Sequence, residues 1–223
     1  MEDGKVMKIN IIYEDNHLLV VEKPVNVPVQ EDSSTDIDLL NILKEYIKNK
    51  YNKPGNVYLG LVHRLDRPVG GIMVFARTSK AASRLSEQIR NKSFKKIYNA
   101  VVIGNINESG TLKDKLLKDE KTNIVKVDNN GKEAILYYKK LDYKNNMSLV
   151  EVNLQTGRSH QIRVQFSHYG YPLYGDNKYN KNAVSGEQIA LFAKKIEFDH
   201  PTTKEKLFFE LDLPNRYPFN LFK

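Results

Sequence analysis

His63–Gly71 reads HRLDRPVGG and lies between two apolar runs, VYLGLV at 57–62 and IMVFA at 72–76. Both runs are rich in β-branched and aromatic residues, which suit a strand. Pro68, Gly70 and Gly71 give the link the chemistry of a tight turn with close backbone approach. The expectation is two strands joined at the rim of a core, with one carboxylate, Asp66, set between Arg64 and Arg67.

The same strand grammar continues on both sides. KINIIYEDNHLLVVEKP (8–24) reads as two short strands around the turn EDN, and FKKIYNAVVIG (94–104) as another. EAILYYKKLDY (133–143) and MSLVEVNLQT (147–156) form a pair joined by KNN, and residues 188–214 form strands around HPTTKE. Helices are fewer. DIDLLNILKEYIKNK (36–50) puts Leu39, Leu40, Leu43, Tyr46 and Ile47 on one stripe behind an Asp/Ser/Thr-rich start. TSKAASRLSEQIRN (78–91) has Thr78 as a cap and Ala82, Leu85 and Ile89 at helical spacing. SHQIRVQFSHYG (159–170) predicts a short helix closing on Gly170, with Ile162 and Phe166 as its buried face. Residues 105–131 are polar and lysine-rich with little periodicity, which predicts a long surface excursion. No internal repeat or low-complexity tract interrupts the chain. Strands outnumber helices and pair through short turns, so the class is α+β with a largely antiparallel sheet.

Composition bounds the function. A chain of 223 residues can bury a real core as one large domain or two small ones. No run approaches the ~18 apolar residues of a membrane span, and MEDGKVMKIN lacks the apolar stretch of a secretion signal. Without cysteine there are no disulfides or thiolate zinc sites, which fits a reducing cytosol. His17, His63, His160, His168 and His200 show no metal-ligand spacing. The formal charge is +8, and it is concentrated: Arg77, Lys80, Arg84, Arg90, Lys92, Lys95 and Lys96 face one acid, Glu87, between 77 and 96. Such a stripe is either a solvated face or a phosphate contact.

Three stretches carry candidate chemistry: HRLDRPVGG, KKIYNA (95–100) and TGRSHQIRVQ (156–165). The plain reading of Asp66 is a turn aspartate paired with a neighbouring arginine. A working carboxylate in a closed pocket has its pKa raised by burial and needs a guanidinium to stay ionised and oriented. Arg64, Arg67, Arg158 and Arg163 are the arginines on offer. Tyr98 is most simply a strand aromatic, Arg163 a solvated helix arginine, Lys23 a strand-end lysine, and Asp176 in YGDNKY a turn residue.

In combination these motifs resemble the RluA-type pseudouridine synthases. HRLDRPVGGIMVFART (63–78) is similar to that family's second motif, KKIYNAVV (95–102) to its tyrosine motif, and LQTGRSHQIRVQ (154–165) to its third, whose core is GR-x-HQIR. LLVVEKPVNVPV (18–29) resembles the lysine–proline motif, and DHPTTKEKLFFELDLP (199–214) the C-terminal strand pair. Together they run in family order over nearly the whole chain. Protein kinases also carry His-Arg-Asp, but without the intervening leucine, and this chain lacks their Gly-rich loop and Asp-Phe-Gly. Departures occur at Val69 and Gly70, where the family usually has Thr-Ser, at Gln165 and Phe192, where many members have histidine, and at Asn26, where glycine is common. Asparagine also tolerates positive φ.

The resemblance implies one pseudouridine-synthase-like catalytic domain over 1–223, a mixed and largely antiparallel sheet flanked by helices and loops, and no N-terminal S4-like RNA-binding domain. It implies RNA as the partner, ribosomal or transfer, a monomer in the cytoplasm, and chemistry without cofactor, metal or membrane. Asp66 becomes the catalytic aspartate, Arg163 its arginine partner, and Tyr98 the residue that stacks on the target uracil and takes part in removing its C5 proton. Arg64 would fill the space left by the extruded nucleotide. His63, Arg67, Lys80, Arg84, Lys95, Lys96 and Ile162 would lie on the RNA side. Two other readings stay open: a non-catalytic RNA-binding protein on the same scaffold, and a hydrolase using a carboxylate pair, for which none of the three motifs supplies a second acid.

Overall fold

The computed structural model describes residues 7–32, 34 and 36–223. The start of the stretch read for a secretion signal therefore lies outside the described residues. Two compact units divide the chain: the part up to Phe94 together with Ile196–Glu210, and Lys95–Lys195 together with Leu211–Lys223.

In the first unit, β1 (Asn10–Glu14), β2 (Leu18–Lys23) and β4 (Gly70–Ala76) pair antiparallel in that order. Of the VYLGLV run only Gly60–Leu61 forms a strand, β3, which also pairs with β4. Leu18–Val21 and Ile72–Ala76 are buried on both faces, which is why they read as unbroken apolar runs and do not alternate. α1 (Leu39–Lys50) buries Leu39, Leu43 and Ile47, and α2 (Ser79–Arg90) buries Ala81 and Leu85. Each has the cap its sequence calls for: Asp38 Oδ1 accepts from Asn41 N at 3.0 Å, and Thr78 Oγ1 from Ala81 N at 3.1 Å.

One carboxylate ties this unit's elements. Glu14 at the end of β1 accepts from Tyr46, Lys50 and Tyr51 of the α1 region and from Arg77 after β4. Burial pushes its pKa up, but the hydrogen bonds from Lys50, Tyr51 and Tyr46 outweigh burial and hold it low.

The second unit has the strand order β5 (Lys95–Ile103), β9 (Met147–Leu154), β8 (Lys132–Lys144), β6 (Ser109–Asp119), β7 (Ile124–Val127), all antiparallel. The expected surface excursion over 105–131 is thus mostly β-hairpin. Its lysines occupy the exposed face while Leu112, Leu116 and Val125 point into the core. Leu116, Val125, Ala134 and Val164 form one cluster, and Val101, Met147, Leu149, Ala190, Phe192 and Phe219 another. β10 (Leu191–Asp199) runs from the second unit into the first and pairs with β11 (Lys206–Glu210).

α3 (Gln161–His168) departs from its sequence reading. A two-residue buried face was expected, but Gln161 through Phe166 are all buried, Arg163 and Gln165 included. Polar side chains tolerate such burial when they are hydrogen-bonded; Arg163 and the Gln165 Nε2 are, while Gln165 Oε1 is buried without a partner among the described residues.

Candidate active site

Asp66 sits on the link between β3 and β4, partly buried, in a turn closed by Val69 N donating to Asp66 O at 2.9 Å. Gly70 lets β4 start close to the preceding motif: a Cβ there would lie 3.1 Å from Val25 Cγ1 and 3.2 Å from Lys23 O. Gly71 has φ +122°, in the region that favours glycine. Asn26, where glycine is common in the family, has φ 64°, the left-handed conformation that asparagine tolerates.

What holds the turn is Lys23, which the sequence offered only as a strand-end lysine. It is 1% exposed, and its Nζ donates to three carbonyls: Pro24 at 2.9 Å, Arg67 at 2.9 Å and Val69 at 2.7 Å. An ammonium has three N–H donors and so satisfies all three. Burial pulls its pKa down to about 7, while the charge of Asp66 pulls it up and Arg67 pushes it down. Lys23 therefore gathers the backbone on the C-terminal side of Asp66, and its own protonation responds to that acid's charge.

The neighbours of Asp66 are differently committed. Arg64 is exposed. Arg67 turns to the 26–36 segment, donating to Asn26 O and Ser34 Oγ, both at 3.2 Å, and pairing with Asp36. His63 Nε2 accepts from Val74 N at 3.2 Å and its ring packs 5.7 Å from that of Phe94, so part of this side chain works inside the fold. The basic stripe also divides. Arg77 is bound to Glu14 and lies 4.7 Å over the Tyr51 ring, and Arg84 donates to Pro201 O at 2.7 Å, whereas Lys80, Arg90 and Lys92 are exposed.

In the second unit, β5 carries Tyr98, 7% exposed and paired in register with Val152. α3 carries Arg163, 6% exposed. Its Nε donates to Asp176 Oδ2 at 2.9 Å and its Nη2 to Asp176 Oδ1 at 2.7 Å. This two-point pairing fixes the guanidinium plane. Asp176 is 1% exposed and also accepts from the backbone of Lys178 and Tyr179, so the turn residue of the sequence reading is a buried anchor. The Tyr179 ring lies 5.2 Å from the guanidinium carbon, and its hydroxyl is 2.6 Å from His160 Nδ1 and accepts from Val125 N at 3.0 Å. Gln165 donates to Asp114 Oδ2 at 2.6 Å and to Ala134 O at 3.3 Å, and Phe192 packs against Phe219, so both departures from family histidine are built into this interior. Ile162 is buried on α3, while Lys95 and Lys96 open β5 with Lys95 exposed. Among the described residues no group of three or more His, Cys, Asp or Glu could hold a metal ion.

The family model described as RNA pseudouridylate synthase matches residues 17–168, a span that contains Asp66, Tyr98 and Arg163. The chain belongs to that family. It is 35% identical to the ribosomal large subunit pseudouridine synthase D of Pseudomonas aeruginosa, over 95% of this chain and 70% of that protein. It is 36% identical to the ribosomal large subunit pseudouridine synthase C of Buchnera aphidicola, over 88% and 64%. The structure of human RNA pseudouridylate synthase domain containing 4 superposes with a TM-score of 0.80 at 22% identity, covering 96% of this chain and 92% of that one, and so shares its fold. Members of this family are isomerases, and the α+β class with a predominantly antiparallel sheet is the family's own. No described helix is long and apolar enough to cross a membrane.

Proposed function

We propose that the two units act as one catalytic domain, a cytoplasmic monomer that isomerises specific uridines of ribosomal RNA to pseudouridine with Asp66 as the catalytic carboxylate. The observation that carries this reading is the matched family span, which encloses the three motifs with Asp66, Tyr98 and Arg163 intact. Two relatives whose names specify the ribosomal large subunit favour ribosomal over transfer RNA.

The reaction breaks the uracil N1–ribose bond, turns the base and rejoins it through C5, moving one proton from C5 to N1. Asp66 supplies its carboxylate at the ribose or the base. Lys23 supports it by fixing the Arg67 and Val69 carbonyls. Arg163 supplies the guanidinium that such an acid requires, and its plane is set beforehand by Asp176. Tyr98 stacks on the uracil and takes part in removing the C5 proton. The target base must leave its stack to react, so unpaired or locally opened RNA is the substrate form, with exposed Arg64 filling the vacated space.

The test is to delete the gene, map the lost pseudouridines, and assay purified protein on RNA from the deletion strain. Wild type restores the lost site, and Asp66→Asn, shown to be folded, restores none. Arg163→Met keeps RNA affinity and loses turnover. Product formed by Asp66→Asn at the wild-type rate, or RNA binding by wild type with no product on any RNA, overturns the reading.

A further inference from the structure

Lys96, one of the stripe residues expected on the RNA side, differs from Lys80, Arg90, Lys92 and Lys95 in being half-buried. Two positions before Tyr98 on β5, it shares that residue's face of the strand, ~6.6 Å away along it. It is half-buried, yet its ammonium has no hydrogen bond or ion pair among the described residues. Burial alone pulls its pKa below the ordinary lysine range. What it touches is Gly157 in TGRSHQ: a Cβ on that glycine would lie 3.3 Å from Lys96 Nζ and meet nothing else within 4 Å. Gly157 therefore leaves open space beside a desolvated, unpaired cation.

A second donor lacks an acceptor in the same segment. Gln161 is 2% exposed, and its Oε1 accepts from Thr156 Oγ1 at 2.8 Å and from Arg158 N at 3.0 Å. The Arg158 amide can only donate, which fixes the orientation of the carboxamide. Nε2, on the same carbon, is buried with no partner among the described residues. Arg158 adds a guanidinium of which only Nε is engaged, donating to Glu133 O at 2.8 Å. α3 starts here with no side-chain cap on its first turn. The Lys96 ammonium and the Arg158 guanidinium are both donors, and neither has a carboxylate partner among the described residues. Arg158 is exposed, but the half-buried Lys96 ammonium is solvated less fully than a surface lysine and gains from an anion beside it.

We propose that Lys96 and the Gly157–Ser159 segment form a receptor for one backbone phosphate of the RNA strand, the one adjoining the nucleotide that stacks on Tyr98. The position of that phosphate rests on the role proposed for Tyr98; the receptor itself does not. Gly157 is required because a side chain there would occupy the phosphate's place. Gln161 holds the shape of the segment through its Oε1 bonds to Thr156 and Arg158, and α3 begins beside it with the positive end of the helix.

The experiment uses full-length protein and a fluorescein-labelled single-stranded uridine 10-mer, titrated across potassium chloride concentrations. For wild type and for Asp66→Asn, which separates binding from chemistry, the log–log salt slopes agree. Lys96→Met lowers the slope by about 0.7, the value for one phosphate contact on single-stranded nucleic acid, and weakens binding about tenfold at low salt; Lys96→Arg restores both. Lys96→Met also melts no lower than wild type, because it removes a half-buried charge that has no partner among the described residues. On a stem-loop carrying the mapped uridine, a neutral methylphosphonate at one of the two linkages flanking that uridine weakens wild type by the same factor and does not weaken Lys96→Met further. An unchanged slope, a lower melting point with unchanged binding, or additive losses at both linkages overturns the receptor. Absence of product with the slope change intact overturns the functional reading and leaves the receptor standing.

Discussion

Asp66 and Arg163 are both held from behind, but by different chemistry. The acid rides on a loop whose carbonyls are collected by a buried lysine, and the base of that arrangement is neutral: three C=O groups on one ammonium. The arginine rides on a buried helix and is gripped by a carboxylate of opposite charge at two points. Neutral acceptors organise a backbone without cancelling the cation's charge, so the protonation of Lys23 still responds to the charge of Asp66. A carboxylate grip cancels charge and fixes direction. The first region is thus adjustable by protonation, and the second is rigid.

The sharpest way to break this contrast is at Asp176. Asp176→Ala strips a buried guanidinium of its carboxylate and should cost about 4 kcal/mol, lowering the melting point by about 8–16 °C for a chain of this length. Thermal denaturation checks it, and a loss under 1 kcal/mol would mean that the pairing does not grip.

Lys23→Met comes next. It leaves three carbonyls without their donor and should cost about 3 kcal/mol near neutral pH. The pH dependence then separates the two regions. Lys23 has a folded pKa of about 7, below the ~10.4 of an unfolded lysine. Between those values the unfolded chain binds more protons, so wild-type stability rises with pH from about 7 to about 10.4 relative to Lys23→Met. Turnover should run the other way, falling above about pH 7 as the ammonium loses the proton that serves the third carbonyl. Urea titrations and initial rates over that range check both directions, and a rate that tracks stability would place Lys23 outside the working of Asp66.

The smallest effect is a calibration point away from both regions. Thr78→Ala removes the α2 cap and should cost about 1 kcal/mol, with turnover per folded molecule unchanged. A larger loss measured by the same denaturation would mean that α2 supports one of the two anchors.

Much of this was legible beforehand because it is local. The Thr78 cap, the Leu39/Leu43/Ile47 stripe and the doubly buried β2 and β4 are written in neighbouring residues. β6 and β7 escaped because lysine supplies their exposed faces so densely that the buried Leu112, Leu116 and Val125 look sporadic. Lys23 and Asp176 were in view but assigned to a strand end and a turn. Burial decides their character, and it is conferred by residues 46 and 13 positions away. α3 misled for the same reason: its moderate apolar stripe says nothing of the Asp114 and Asp176 carboxylates that let Gln165 and Arg163 go inside.

Arg67 has a consequence of another kind. Its contacts to Asp32 and Asp36 join the Asp66 turn to the 26–36 segment through side chains that are all open to solvent. Solvent-exposed pairs of this kind contribute little each and weaken as salt rises. The ionic share of this link is therefore largest in dilute buffer and smallest in concentrated salt. The Lys23 carbonyl bonds beneath it, sealed from solvent, keep their hold in both.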